Sequence, residues 1–307
     1  MAAATSGASD GQAHWAAIRR AMSETVPHCQ EIGIQVEALS GVPGASSRVL
    51  ARLPWRATFA RGPGDARMHG GMIATLCDSA AGIAAFCALP PDTPIATLEL
   101  RLDHVGAPGP GADVTVACGC TDVSSGLVLV RGEAADAATG AVVARMTATF
   151  AVTPRGFAIG SDAASASVAA GASGPRDGGA VSSRAAPASF ARFLGAEPRD
   201  GATLLVPFRP GLIGNVTLPA LHGGVAAALL DLAVIEAVGV ASPGDATADV
   251  ASLTVTYLRL ARPQDLRARA RILRRGQSVV QLDAVAWQDS PDKPVAAATA
   301  TVRLASR

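Results

Sequence analysis

A histidine, a pair of glycines and a more distant aspartate occur together twice in this chain. The run His69–Gly71 precedes Asp78, and the run His222–Gly224 precedes Asp231, with the aspartate nine positions after the histidine in each copy. A single short motif of this kind has little meaning, because a histidine before two glycines can simply cap a helix at a tight turn. Two copies with the same spacing indicate a shared function.

These residue types suit chemistry at a carbonyl group. A carboxylate such as Asp78 or Asp231 can activate a water molecule or attack the carbonyl carbon directly. A helix that begins at Gly70 or Gly223 would offer unpaired backbone N–H groups to the carbonyl oxygen, and the missing side chains would let that oxygen come close. Donors aimed at a developing oxyanion can contribute about 3 to 4 kcal/mol to catalysis.

The spacing also constrains how the parts meet. Nine positions along a helix span roughly 13 Å, so Asp78 and the N–H of Gly70 cannot both reach one carbonyl group. We therefore expect the aspartate of each helix to serve the N-terminus of the other helix. Two antiparallel helices related by a two-fold axis would give two composite sites per chain.

The elements that must position these residues are themselves duplicated. The second copy lies 153 positions after the first, and Ala74 and Leu76 recur as Ala227 and Leu229 at the same shift. A shift of this length corresponds to a domain. We predict an N-terminal domain over 14–154, a flexible Ala/Ser/Gly-rich linker over 155–187 and a C-terminal domain over 188–307.

Each half reads as one buried helix followed by a meander of strands. The helices 72–88 and 225–240 are apolar on nearly every side and must be wrapped by other structure. Alternating or β-branched segments predict the strands. They are expected at 32–39, 47–59, 97–105, 113–120, 127–134 and 141–152, and at 191–208, 251–260, 266–273, 278–287 and 294–304, with a short helix at 14–22. The pattern predicts an α+β fold in which each half is an antiparallel sheet curled around a central helix, the hotdog architecture, in two tandem copies.

Charge and hydropathy exclude two kinds of partner. The 307 residues carry a net charge of +1 without a run of Lys or Arg, so we expect no nucleic acid partner. The stretch 72–89 is apolar enough to raise the question of a membrane span. Asp78 near its middle, and Asp231 in the second copy, would each cost roughly 2.5 to 3.5 kcal/mol on insertion. We therefore expect buried core helices and no membrane partner.

The cysteines and the N-terminus suggest a cytoplasmic protein. Five cysteines form an odd set, and two of them lie in apolar segments, which argues against a disulfide framework. Cys118 and Cys120 have no second Cys or His pair at ligand spacing, so no metal site is expected. The first twenty residues contain no continuous apolar core, so no signal peptide is evident. Nothing in the sequence requires a cofactor.

On these motifs, together with the strand segment 97–104, the chain resembles the hotdog-fold acyl-CoA thioesterases of the PaaI type, related to 4-hydroxybenzoyl-CoA thioesterase. The resemblance covers nearly all of both halves. It implies hydrolysis of an acyl-CoA substrate to a free acid and coenzyme A. Because single-domain members of this family form dimers, it also implies that the chain is a pseudo-dimer fused into one polypeptide, which could form a further homodimer.

The resemblance implies unequal sites. The family pattern places an Asn about six positions before the histidine on the polarising side, and a Ser or Thr seven before an aromatic residue on the carboxylate side. Asn215 lies seven before His222, one residue out of register, and Thr97 lies seven before His104. The composite of Asp78 and Thr97 with Asn215, His222 and Gly223 is thus nearly complete.

The reciprocal composite of Asp231 with His69 and Gly70 is poorer. Val250 stands where Thr97 stands in the first copy, although Ser252, two positions along the strand, could supply the missing hydroxyl. Gly62 and Pro63 occupy the region where an Asn is expected. We therefore expect one competent site and one weakened or silent one.

Other interpretations stay open at the level of sequence. The chain could be an acyl-CoA-binding module that has lost turnover, or a hotdog hydratase, although the sequence shows no suitably spaced Asp/His dyad for the latter. His14, His28 and His104 have no recognisable partners and are interpreted as surface or packing residues. Arg101, Arg259 and Arg262 are candidates for contact with the phosphates of coenzyme A, though solvated arginines at strand edges are more common.

Overall fold

The computed structural model describes residues 15–42, 46–90, 93–153, 189–215, 219–241 and 248–304. The predicted linker, 155–187, lies outside the described residues, and so does His14. The limits of the two domains therefore stay a prediction.

Two long helices form the centre of the fold. The first core helix (Gly70–Cys87) and the second core helix (Gly223–Ala241) each begin two residues before the predicted helix. Both are long and apolar enough to cross a membrane by length and composition, yet 83% of an 18-residue stretch of the first helix and 67% of such a stretch of the second are buried inside the protein. Buried apolar surface on all sides of a helix is what a surrounding sheet provides.

Small residues let the two core helices touch. A methyl group built on Gly71 would lie 3.2 Å from the Cα of Ala228, and one built on Gly224 would lie 2.8 Å from the Cα of Thr75. Only glycine permits backbones to approach this closely. The N-terminus of each core helix is thereby held against the middle of the other.

The remaining elements are mostly strands. In chain order they are β1 (Gln35–Val42), β2 (Ser46–Leu53), β3 (Ala60–Gly62), β4 (Asp65–Met68), β5 (Ile95–His104), β6 (Val114–Ser124), β7 (Leu127–Asp136), β8 (Val142–Val152), β9 (Glu197–Pro198), β10 (Leu204–Val206), β11 (Ile213–Asn215), β12 (Ala220–Leu221), β13 (Ala248–Tyr257), β14 (Leu266–Arg275), β15 (Val279–Trp287) and β16 (Ala296–Leu304). Twelve of them form one sheet in the order β1-β2-β6-β7-β8-β5-β13-β16-β15-β14-β10-β9, and the pairs β3–β4 and β11–β12 form small ribbons.

The two halves join through β5 and β13, which pair antiparallel near the middle of the sheet. Their ladder matches Asp103 with Ser252 and Glu99 with Thr256. Alternate residues on these strands, such as Leu100 and Leu253, are fully buried beneath the core helices. The arrangement confirms the predicted α+β tandem hotdog, and the continuous sheet makes the halves one body.

A β-bulge at the same place in each copy changes which residues face the helices. The register shifts between Thr97 and Glu99 in β5, where Thr97 pairs with Phe150, a residue of the buried face. An inserted residue re-aims the side chains beyond it. The bulge therefore turns Thr97 toward the core helices and leaves Leu98 exposed at 37%.

The prediction of strands over all of 191–208 was wrong at its start. Residues Ser189–Leu194 form a short helix, and only β9 and β10 are strands in this region. The helix buries Phe190 and Leu194, so its stability comes from tertiary packing that a six-residue pattern does not reveal. A matching short helix, Pro27–Ile32, follows the helical residues 15–20 and the π-helical turn Ala21–Thr25 in the first half.

Candidate functional site

Each motif histidine caps the core helix that follows it. Nδ1 of His69 accepts a hydrogen bond from the N–H of Gly71 at 3.0 Å, and Nδ1 of His222 accepts one from Gly224 at 3.0 Å. These bonds satisfy one of the N–H groups that a helix start leaves unpaired. A neutral imidazole whose Nδ1 accepts must carry its proton on Nε2.

The aspartate of each core helix lies at the capping histidine of the other. Oδ2 of Asp78 is 3.3 Å from Nδ1 of His222, and Oδ2 of Asp231 is 3.4 Å from Nδ1 of His69. All four side chains are largely buried, with exposed fractions of 10% or less. Below, the Asp78 site is Asp78 with His222–Gly224, and the Asp231 site is Asp231 with His69–Gly71.

The two sites differ in how tightly glycine and carboxylate approach. A methyl group built on Gly223 would lie 2.8 Å from Oδ2 of Asp78, which is closer than van der Waals contact allows. A methyl group built on Gly70 would lie 3.5 Å from Oδ1 of Asp231, an ordinary contact. A methyl group at position 223 would therefore displace the Asp78 carboxylate, whereas one at position 70 would leave Asp231 in place.

Burial makes both carboxyl groups more basic. It raises the pKa of Asp78, although the nearby His222 and a hydrogen bond from the Gly224 N–H oppose the shift. It raises the pKa of Asp231 to about 7, against the effects of Arg61 and the Gly71 N–H. In each carboxyl group Oδ1 is buried and has no hydrogen-bond partner among the described residues. A buried carboxylate with a free oxygen is suited to accept a proton from a bound molecule.

The histidines stay neutral for the same reason. Burial lowers the pKa of His222, although Asp78 opposes that shift, and burial together with Arg61 and His104 lowers the pKa of His69 to about 3. Neutral imidazoles suit the capping geometry, because a protonated Nδ1 could not accept the backbone N–H.

The surroundings of His222 are polar. Its Nε2 lies 3.3 Å from Oγ of Ser79 and 4.0 Å from Sγ of Cys29. The ring of His28 lies 5.0 Å from the ring of His222. Both nitrogens of His222 thus have neighbours within the protein, so the N-terminal N–H groups of the second core helix are the donors left for a bound carbonyl group.

The ring of His69 has a different neighbour. It stacks on Phe190 of the short helix Ser189–Leu194, with the centroids 4.6 Å apart. The residue that matches Ser79 at the shift of 153 is Leu232, which is buried. The Asp231 site therefore lacks the hydroxyl that the Asp78 site has.

Thr97 lies at one end of the pairing between β5 and β13. This end is the one nearer the Asp78 site. The β5–β13 pairing ends at Glu99–Thr256, so Thr97 lies beside the strand end that carries Tyr257. The hydroxyl of Tyr257 donates to the carbonyl of Gly223 at 3.1 Å. The bulge in β5 turns Thr97 to this inner face.

The suggestion that Ser252 replaces the missing hydroxyl in the second copy was wrong. The bulge in β13 falls between Val250 and Ser252, so Val250 pairs with the buried Val302 while Ser252 pairs with Thr301. Because alternate positions face opposite sides, Ser252 lies on the outer face of the sheet. The inner position is held by the apolar Val250.

Asn215 is the last residue of β11, pairs with Ala220 and is exposed. The strand itself passes close to the capping histidine, since a methyl group built on Gly214 would lie 2.6 Å from the Cα of His222. The next residues, 216–218, lie outside the described residues. A role for Asn215 in polarising a carbonyl group stays a prediction.

Two histidines interpreted as surface or packing residues lie at the sites. His28 is buried and its ring faces that of His222. Its Nδ1 lies 3.1 Å from the carbonyl oxygen of Gly211. Cε1 of His104 would lie 3.6 Å from a methyl group on Gly70, and its buried Nε2 has no partner among the described residues. The sequence could have indicated that His104 lies at a site, because an aromatic residue, Tyr257, occupies the matching position 153 residues later.

The arginines suggested for phosphate contact have partners of their own. Arg101 forms an ion pair with Asp103 at 2.7 Å, Arg262 pairs with Asp289, and Arg259 donates to the carbonyl of Pro294 at 2.6 Å. In the described part of the chain, no group of three or more His, Cys, Asp or Glu side chains could hold a metal ion. All five cysteines are free thiols.

Family models match both halves of the chain. Residues 66–150 match the thioesterase superfamily, and residues 214–303 match the acyl-CoA thioesterase N-terminal domain. Each matched segment includes a core helix with its aspartate and the strands that follow it. None of the curated proteins compared with the chain matches it.

Several solved structures superimpose on most of the chain. A conserved protein of unknown function with a hot dog fold from Alicyclobacillus acidocaldarius is 16% identical, with a TM-score of 0.54 over 88% of this chain and 96% of the other. The acyl-CoA thioesterase II TesB2 from Mycobacterium marinum is 13% identical, with a TM-score of 0.52 over 91% and 97%. The 12:0-ACP thioesterase from Umbellularia californica is 12% identical, with a TM-score of 0.55 over 84% and 94%. At these identities the likeness concerns the fold.

Proposed function

We propose that this tandem hotdog protein is an acyl-CoA thioesterase of the PaaI type that works mainly at the Asp78 site. The proposal is carried by one observation, the contact of the Asp78 carboxylate with the N-terminus of the second core helix. A methyl group on Gly223 would lie 2.8 Å from Oδ2 of this carboxylate. A base and a set of backbone donors therefore meet within the reach of one carbonyl group.

The chemistry follows from the two groups. The Asp78 carboxylate takes a proton from water while the water oxygen attacks the thioester carbon. The Gly223 N–H stabilises the negative charge that develops on the carbonyl oxygen. The carbon–sulfur bond then breaks, the acid is released, and the thiolate of the carrier takes up the proton. Burial supports this role, because it raises the pKa of Asp78 and makes its carboxylate a stronger base.

Direct attack by Asp78 is the other route to the same products. The carboxylate oxygen would form an anhydride with the acyl group, and water would then hydrolyse it. A single turnover in ¹⁸O-labelled water tests for this route. Label in the Asp78 peptide indicates attack by the carboxylate, because water that opens the anhydride at the Asp78 carbonyl leaves its oxygen on the enzyme.

Three differences favour the Asp78 site over the Asp231 site. Thr97 supplies a hydroxyl on the inner face where the second copy has Val250, and Ser79 stands where the second copy has Leu232. Asn215 has no counterpart before His69. We infer that the Asp231 site turns over slowly or not at all.

The carrier and the acyl group are part of the proposal. Coenzyme A is favoured because residues 214–303 match an acyl-CoA thioesterase domain. The core helices that flank the site are lined with Ala, Ile, Leu and Val, which suits an apolar acyl group. We further propose that the protein acts in the cytoplasm and that the fused pair can form a homodimer.

Thiol release from acetyl-, hexanoyl-, palmitoyl- and phenylacetyl-CoA tests the function. We expect the wild type to release thiol from at least one of them and Asp78→Asn to lose that release. Tight binding of acyl-CoA in calorimetry without thiol release would instead favour a binding module. Absence of both binding and release would rule out an acyl-CoA function.

A further inference from the structure

One side chain beside the Asp78 site is not explained by the proposed chemistry. Ser79 follows Asp78 directly, is buried, and places its Oγ 3.3 Å from Nε2 of His222 in the other half. The same hydroxyl donates to the carbonyl of Thr75 at 2.9 Å. Its lone pairs are therefore available to accept a hydrogen bond from Nε2–H of His222.

These bonds define where the proton of His222 resides. Nδ1 accepts the N–H of Gly224 at 3.0 Å, so the neutral ring carries its proton on Nε2, and Nε2 points at Ser79. A chain of hydrogen bonds runs from Nε2–H of His222 to Oγ of Ser79 and on to the carbonyl of Thr75. As a result, Asp78 faces a ring nitrogen that has no proton to give it.

We propose that Ser79 is a positioning residue that holds His222 in the Nε2–H tautomer and thereby keeps Asp78 a strong base. The inference rests on the proposed function of the Asp78 site. If the proton moved to Nδ1, it would lie between the ring and Oδ2 of Asp78, which are 3.3 Å apart. A hydrogen bond to the carboxylate stabilises its charged form and weakens it as a base.

The other groups around the site do not replace Ser79 in this role. Asp78 is also faced by Tyr257 and by the thiols of Cys29 and Cys77. Sγ of Cys29 lies 4.0 Å from Nε2, and a thiol is a weak acceptor. His28 faces the ring of His222, but its Nδ1 is engaged with the carbonyl of Gly211, and its buried Nε2 makes no hydrogen bond to His222.

The second copy shows what the absence of this hydroxyl looks like. Leu232 occupies the matching position next to Asp231, and His69 is held by stacking on Phe190 at 4.6 Å. Nδ1 of His69 also accepts a backbone N–H, from Gly71 at 3.0 Å, so the cap favours the Nε2–H tautomer in both copies. What His222 has in addition is the Ser79 hydroxyl as an acceptor for Nε2–H.

Ser79→Ala tests the proposal through the pH dependence of kcat/KM. The buried Nε2–H loses its acceptor, so the Nδ1–H tautomer becomes more populated although it gives up the hydrogen bond from Gly224, and its proton stabilises the charged form of Asp78. We expect the acid limb of the profile to move to lower pH by about one unit and kcat to fall about threefold to tenfold. Ser79→Thr keeps the hydroxyl and should restore both.

Ser47→Ala is the matched control. Ser47 is also a buried hydroxyl that bonds to the first core helix, donating to the carbonyl of Ala84 at 2.7 Å. We expect it to lower stability without moving the acid limb. An unchanged acid limb in Ser79→Ala, or an equal movement in Ser47→Ala, would overturn the proposal.

Nitrogen NMR of His222 gives an answer that does not require turnover. In the wild type we expect Nε2 to be protonated and Nδ1 to be bare, and in Ser79→Ala we expect a shift toward the reverse. A wild-type His222 protonated on Nδ1 would refute the role of Ser79 even if the enzyme hydrolyses thioesters. A protein that shows the expected tautomers but hydrolyses no thioester would refute the proposed function alone.

Discussion

Oδ2 of Asp78 lies 3.3 Å from Nδ1 of His222, and the two residues belong to different halves of the chain. Neither half alone can build this contact, because a carboxylate nine positions into a helix is roughly 13 Å from that helix's own N-terminus. The fused halves therefore form each site together, and the duplication carries two of them. The consequences can be tested one residue at a time.

The two aspartates should contribute unequally to turnover. Asp78→Asn removes the base beside Gly223, and we expect it to lower kcat/KM on the order of a hundredfold or more. Asp231→Asn should change kcat/KM by less than about threefold, since that site lacks the Thr97 and Ser79 hydroxyls. Thiol release from the best acyl-CoA measures both, and equal losses in the two variants would refute the asymmetry.

The motif glycines should also differ when a methyl group is added. In Gly223→Ala the new methyl group would lie 2.8 Å from Oδ2 of Asp78, so we expect the carboxylate to be displaced and stability to fall by about 1 to 3 kcal/mol. In Gly70→Ala the nearest atom of Asp231 is at 3.5 Å, so we expect little change. Urea unfolding together with thiol release checks the pair, and similar effects in both would contradict the tight approach at Gly223.

Removing the hydroxyl of Thr97 should slow the reaction without weakening binding. Thr97→Val copies the residue found at Val250, keeps the volume and leaves the bulge in place. We expect kcat to fall about tenfold while KM stays within about twofold, as for loss of a group that acts in the transition state. Val250→Thr is the reciprocal control and should leave the Asp78 site unaffected; a rise in KM alone in Thr97→Val would argue against this role.

Stability should depend on pH through Asp231. Burial raises its pKa from 3.8 to about 7, so the folded state holds this proton more tightly than the unfolded chain does. The stabilising contribution is fully present below about pH 4 and is lost as the pH rises to about 7. Between pH 4.5 and pH 7.5, the free energy of unfolding of the wild type should fall on the order of a few kcal/mol more than that of Asp231→Asn. Urea unfolding at both values measures the difference, and parallel behaviour of the two proteins would contradict the raised pKa.

The sequence determined the fold through repetition and periodicity. Core helices apolar on all sides, with strands that alternate after them, leave few architectures other than a sheet wrapped around a helix. The prediction for 191–208 was wrong at its start because the helix Ser189–Leu194 is too short to show a helical pattern of apolar residues. Its stability comes instead from packing, including that of Phe190 against His69.

The sequence also determined which residue types could do chemistry, because residue identity and spacing fix what can donate, accept or attack. Only the tertiary structure decided which partners meet. The β-bulges turned Thr97 inward and Ser252 outward, and no alternation pattern in the sequence contains that shift. Likewise, Ser79 approaches His222 because the two core helices touch at their glycines, and His28 reaches the same ring from the short helix Pro27–Ile32. Contacts between residues more than a hundred positions apart depend on packing of the whole body, which local sequence does not encode.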